Sequence, residues 1–256
     1  MMHVQLLVMY PVVNLNICNY IMDQLNSKNL SFLSLSLIIV TYLSSFKNGT
    51  PTCDRYLINN FLYLLTMISI YITSITTLDE KNIKSDSKIS FVLMLLIFGL
   101  IFVYSSVKNT LLKHIIWFIM LLSFSYISKR LYDKYDKKQI KKVIFKLMVI
   151  LLVCVAIAFS FPQLIKPKLE IALIFAGFIL ILMRLIDIIF LNKEYDSLIT
   201  SLIIFVFSGF MVYDTDRVMK LKKLCSTAVP ADYLMNTSNL FLDILSIFDN
   251  LLLLED

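Results

Sequence analysis

Two aspartates in the last third of the chain sit where carboxylates are expensive. Asp214 follows the apolar run FVFSGFMVY, and Asp243 lies a little over two turns into NTSNLFLDILSIFDNLLLLE. An ionisable residue within a membrane segment is a functional feature by default. Two of them on consecutive apolar helices, joined by a short connection, are expected to stand side by side. Two carboxylates in a low-dielectric site cannot both ionise cheaply, so they share a proton. Such a pair binds a proton or a cation and changes state with pH. The competing reading of Asp214 is a helix-end carboxylate paired with Arg217 at i+3.

The helix that carries Asp243 has further polar residues in register. Asn236, Asn239, Ser246 and Asn250 fall at −7, −4, +3 and +7 from Asp243, within one narrow arc at about 100° per residue. The opposite side is Leu, Ile and Phe, so the stripe is expected to face the interior of a bundle rather than water. Asp249, about 120° from the stripe and close to the end, reads as a solvated residue. Arg184 and Asp187, at i, i+3 in an earlier apolar run, read as a local ion pair near a helix end. Gly209 lets a neighbouring backbone come close. An intramembrane aspartyl protease also uses one aspartate on each of two adjacent helices. Its second half needs G-x-G-D, whereas Leu240-Phe241-Leu242 precede Asp243 and no Pro-Ala-Leu follows. No catalytic residue is assigned.

The elements that must position these acids follow from composition. The chain has 256 residues, 59% of them hydrophobic, with a mean hydropathy of +0.80. A soluble domain is about 45–50% apolar, so the fold class is an all-α polytopic membrane protein. Apolar runs cover 56–78, 89–107, 114–128, 143–161, 169–191, 198–213 and 233–254, and a helix of about 20 residues crosses the hydrocarbon core. The run 30–46 is short and serine-rich, so it either crosses or lies at the interface. Residues 1–55 are read as an N-terminal segment and 56–256 as the membrane domain. The net charge of +6 suits an anionic membrane surface better than nucleic acid.

The cysteines Cys18, Cys53, Cys154 and Cys225 are scattered without a C-x-x-C, so neither a zinc site nor a disulfide framework is indicated. With His3 and His114 as the only histidines, no histidine metal centre, and no cofactor, is expected. Segment 129–142 holds seven Lys or Arg against two Asp. The positive-inside rule wants both this block and the four basic residues of 217–232 in the cytosol. Three spans separate them, so they lie on opposite faces.

Gly209-Phe210-Met211-Val212-Tyr213-Asp214-Thr215, followed by Asn239-Leu240-Phe241-Leu242-Asp243-Ile244-Leu245-Ser246-Ile247-Phe248, resembles the signature of the Bax-inhibitor-1 family, also called transmembrane BAX inhibitor motif or lifeguard proteins. That signature is roughly G-F-x-x-Y-D-T-Q and then L-Y-L-D-I-I-N-L-F. Asp214 and Asp243 match its two aspartates. The resemblance implies a seven-transmembrane-helix bundle around a central C-terminal helix; the segment at 30–46 has no counterpart in it and would be an extra hydrophobic helix. It implies a location in endoplasmic reticulum or Golgi membrane, a pH-sensitive leak with calcium as the permeant ion, and suppression of cell death. It places 217–232 in the cytosol. Its basic partner for the aspartates would be Lys108 or Lys113, and Asp216 replaces its glutamine. The expected partners are membrane lipid and either cell-death regulators or other channels. A non-conducting adaptor that binds such regulators fits the same resemblance.

Overall fold

The computed structural model describes residues 27–47, 49–81, 86–107, 109–190, 194–226 and 231–255. The described residues form eight long helices. These are α1 (Ser27–Ser45), α2 (Tyr56–Glu80), α3 (Ser87–Ser106), α4 (Thr110–Tyr132), α5 (Lys137–Ser160), α6 (Pro167–Phe190), α7 (Asp196–Leu224) and α8 (Tyr233–Leu253). A two-residue hairpin, β1 (Phe46–Lys47) and β2 (Thr50–Pro51), joins α1 to α2. Gly49 turns it at φ +76°, a conformation that only glycine adopts without strain.

Local signals set the helix ends. Asp136 and Gln139 form a reciprocal capping box at the start of α5, so that helix begins six residues before the apolar run does. Asn109 caps α4 through Leu112 N–H at 3.2 Å, and Asp86 caps α3 through Lys88 N–H at 2.8 Å. The one large departure from the hydropathy reading is α7. It runs to Leu224, well past Tyr213, because no breaker follows Asp214 and its later basic residues turn outward. Asp214 is therefore inside a helix.

α8 is the axis of the bundle, packed against α7, α2, α5 and α4. The seven helices long and apolar enough to cross a membrane are α1–α7. α8 falls outside that set, since two aspartates and three asparagines interrupt its apolar sequence. Protein rather than lipid surrounds it, so its polar residues meet other helices. The reading of a helical membrane bundle around a central last helix stands. α1 meets the criteria for a span, and the last helix is the exception.

α1 docks on α2 through hydroxyls: Ser34 Oγ meets Ser69 Oγ and Thr73 Oγ1, each at 2.7 Å, and Thr41 Oγ1 meets Thr66 Oγ1 at 2.8 Å. Side-chain hydrogen bonds of this kind bring helices together in lipid, where apolar burial does not. Because α1 packs chiefly along α2, deleting residues 1–50 is expected to leave α2–α8 folded and membrane-inserted. Fractionation and a thermal melt of the truncated chain check this; disappearance from the membrane fraction would contradict it.

The two ends of the bundle are chemically distinct. At one end Cys53, just before α2, is disulfide-bonded to Cys225, just after α7. This corrects the reading that no disulfide is indicated. Cysteine spacing carries no pairing information when the partners are 172 residues apart and only the fold brings them together. Beside the bond, buried Asn59 accepts from Ser44 Oγ at 2.6 Å and donates to Asp54 C=O at 2.9 Å and Tyr233 Oη at 3.2 Å. Tyr233 Oη in turn donates to Thr52 C=O. α1, α2 and α8 are thus tied to one loop. At the other end Lys142 Nζ reaches Glu255 at 2.7 Å, and Lys146 pairs with it too. These two ammonium groups hold the Glu255 carboxyl below the usual glutamate range.

Candidate functional site: a buried pair of aspartates

α7 and α8 bring Asp214 and Asp243 together. Their carboxyl groups are within hydrogen-bonding reach of each other, and the residues are 7% and 6% exposed. Asp243 Oδ2 is enclosed and receives no donor from the described residues. An ionised carboxylate only accepts hydrogen bonds, so two of them in contact repel unless a proton or a cation lies between.

Glu170, Arg217 and Cys154 are within electrostatic range of the pair. Glu170, in the first turn of α6, is close enough to act on Asp214 electrostatically, and its Oε2 accepts from Tyr213 Oη at 2.7 Å. Arg217 also acts on Asp214. Cys154 on α5 is near Asp243, and its Sγ lies 3.5 Å from Ser208 C=O. Thr215 is buried next to Asp214 and bonds back to Met211 C=O at 2.7 Å.

The competing pairing of Asp214 with Arg217 is not formed. Arg217 is exposed, and no ion pair joins the two among the described residues. The helix-internal pair here is Asp216–Lys220, with Asp216 buried. Lys113 does not reach the aspartates either. Its Nζ pairs with Asp232 Oδ2 at 2.7 Å and lies 5.6 Å from the Tyr104 ring centroid. Asp232 is the N-cap of α8, eleven residues before Asp243 and so about 16 Å away along the axis. Lys108 lies outside the described residues.

The stripe runs along α8 from one end of the bundle to the other. Asn236 donates to Tyr56 Oη at 2.7 Å near the disulfide end. Asn239 and Ser246 are half-buried on either side of Asp243. Asn250 donates to Ser246 C=O at 2.8 Å and accepts from Arg184 at 3.3 Å near the opposite end. The expected Arg184–Asp187 pair does not form: Arg184 pairs with Asp196 on α7 at 3.3 Å, and buried Asp187 accepts from Tyr195 N–H at 3.0 Å. The turn into α7 supplies better partners than the same helix does. Asp249 is also not simply solvated. Its Oδ1 is enclosed without a hydrogen-bond partner among the described residues, near Tyr71 of α2.

Sequence reasoning passed over Asn59, Asn60 and Glu170. The two asparagines had a signal, being adjacent amides inside an apolar helix. Glu170 had none, since an acid in a first helical turn is ordinary.

Gly209 is where α7 approaches α6. A Cβ there would stand 2.7 Å from Leu173 Cδ2. Leu173 is a flexible side chain, so Gly209→Ala is expected to be nearly neutral. Gly209→Leu overpacks the seam and is expected to destabilise by about 1–3 kcal/mol. Thermal melts of both variants check this; equal effects would show that Leu173 cannot move.

An all-helical bundle with apolar outer helices and a central helix holding a buried acid against its neighbour defines an integral membrane protein with an intramembrane carboxyl pair. A family model described as Inhibitor of apoptosis-promoting Bax1 matches residues 54–254, and the chain belongs to that family. The match begins just before α2 and leaves α1 outside. No curated protein and no solved structure matches the chain.

Proposed function

We propose that this protein is a pH-sensitive cation leak of an intracellular membrane, endoplasmic reticulum or Golgi, through which it restrains cell death. Calcium is the permeant ion in this reading, and Asp214 and Asp243 are the gate. The observation that carries it is the contact of two buried carboxyl groups, Asp243 and Asp214, with Asp243 Oδ2 lacking a donor among the described residues. One proton shared by the pair holds α7 to α8. Removing the proton leaves two like charges in low dielectric, which push the helices apart. The polar stripe supports the same reading, because it continues from Asn236 past Asp243 to Asn250 along the central helix. Glu170 adds a third carboxyl on the α6 side, where a cation would be drawn in.

The test is calcium entry into liposomes containing the purified protein, at fixed ionic strength, against liposomes without it. Flux above the empty vesicles supports the leak. Its absence at every pH supports a non-conducting adaptor for cell-death regulators or other channels.

A further inference from the structure

A groove of about 360 Å³ opens between α1, α2 and α4, in the half of the bundle nearer the disulfide. Ile38 and Tyr42 of α1, Tyr63 and Met67 of α2, and Trp117 and Phe118 of α4 are among the residues of its wall. It exists because α1 is pinned to α2 by its hydroxyls, while towards α4 the approach is made by the Phe46 ring, 6.1 Å from His114. Its mouth lies among residues that look out of the bundle: Ile38 is 41% exposed, Ile115 49% and Phe118 46%. All three belong to helices apolar enough to span a membrane, so the medium at this mouth is hydrocarbon.

The polar atoms of Thr41, Thr66, Tyr63, His114 and Trp117 in the wall are already paired, and Tyr42 is exposed. Thr41 bonds Thr66 at 2.8 Å, and Tyr63 Oη meets His114 Nε2 at 3.0 Å. His114 Nδ1 lies 2.7 Å from Thr110 C=O, which fixes the ring as a donor there and an acceptor from Tyr63. Nothing in the wall calls for a polar ligand. The volume is within the roughly 300–1,000 Å³ of small-molecule sites. Left empty, the wall would forfeit its dispersion contacts on one side.

We propose that this groove is a phospholipid site, holding one acyl chain between α1 and α4 with the headgroup at the Phe46–Lys47 rim. Phe46 stacks on Tyr42 at 5.2 Å there, and Lys47 is exposed beside it. The bound chain lies against the helix that carries Asp243. Leu234 of α8 lines the groove. Behind it, Trp117 Nε1 donates to Ser238 Oγ, and the Trp117 ring meets Phe241 at 5.6 Å. The site is independent of whether the protein conducts.

Trp117 is the only tryptophan in the chain and forms the back wall, so its emission reports occupancy directly. The full-length protein in detergent is titrated with phosphatidylcholine brominated in mid-chain, since bromine quenches indole emission on close approach. The expected result is loss of most of the Trp117 emission, saturating at a single lipid per chain. Ile38→Phe combined with Ile115→Phe narrows the mouth using residues that already face lipid. It should raise the lipid needed for half-quenching by about tenfold. Quenching that grows linearly without saturation, or that is unchanged in the double variant, would overturn the site. Quenching by a brominated sterol but not by the phospholipid would overturn the class of occupant.

Discussion

Cation flux through the wild-type protein in liposomes is expected to change across about pH 5–8, and Asp243→Asn is expected to flatten that dependence without abolishing flux. One shared proton limits the change to about tenfold per pH unit. Asparagine removes the titrating partner but keeps a donor, so Asp214 retains one hydrogen bond and α7 stays near α8. Asp214→Ala removes the bond outright and should leave the pore more often open at every pH. Arg217→Ala is the control. That side chain is exposed and makes no ion pair with Asp214 but acts on it electrostatically, so the variant should shift the pH profile without flattening it. Glu170→Gln tests the third carboxyl and is expected to shift the profile rather than flatten it. A wild-type flux that is flat with pH, or an Asp243→Asn protein that titrates like wild type, would remove the aspartate pair as the gate.

Breaking the Cys53–Cys225 bond is expected to give the largest loss of stability of any single change outside the aspartates. The bond closes a loop of 172 residues, and cross-links of native proteins contribute about 2–4 kcal/mol. Cys53→Ser should lower the melting temperature accordingly, and dithiothreitol should do the same to wild type but not to the variant. An equal melt with and without reductant would show that the bond does not contribute. The bond also bears on orientation. It sits at the end of the bundle where α7 stops and α8 starts, the connection that the family resemblance places in the cytosol. Structural disulfides persist in oxidising compartments and are rare in the cytosol. The block at 129–142 is at the opposite end, and the positive-inside rule favours the cytosol for it. Membrane-impermeant maleimide, applied to sealed vesicles after mild reduction, should therefore reach Cys53 and Cys225 from the non-cytosolic side. Labelling from the cytosolic side would restore the orientation implied by the family.

The sequence was sufficient for the helices and for the acids. Each apolar run became a helix because hydrocarbon leaves the backbone no other partner for its N–H and C=O groups. Asp214 and Asp243 stood out for the same reason, since a carboxylate in such a run is costly. The spacing of Asn236, Asn239, Ser246 and Asn250 placed them on one side of α8, as helical geometry requires. What the sequence could not carry was which side chains meet across helices. Arg184 had Asp187 one turn away but found Asp196 and Asn250. Lys113 was a candidate partner for the aspartates but found Asp232. Cys53 and Cys225 gave no sign of pairing. These are contacts between residues far apart in the chain, and partner choice there depends on helix rotation and depth, which a one-dimensional pattern does not record. The same holds for α8: its apolar run marked it as a helix and the family signature as the central one, but only tertiary packing decided which neighbouring helices, rather than lipid, receive its polar groups.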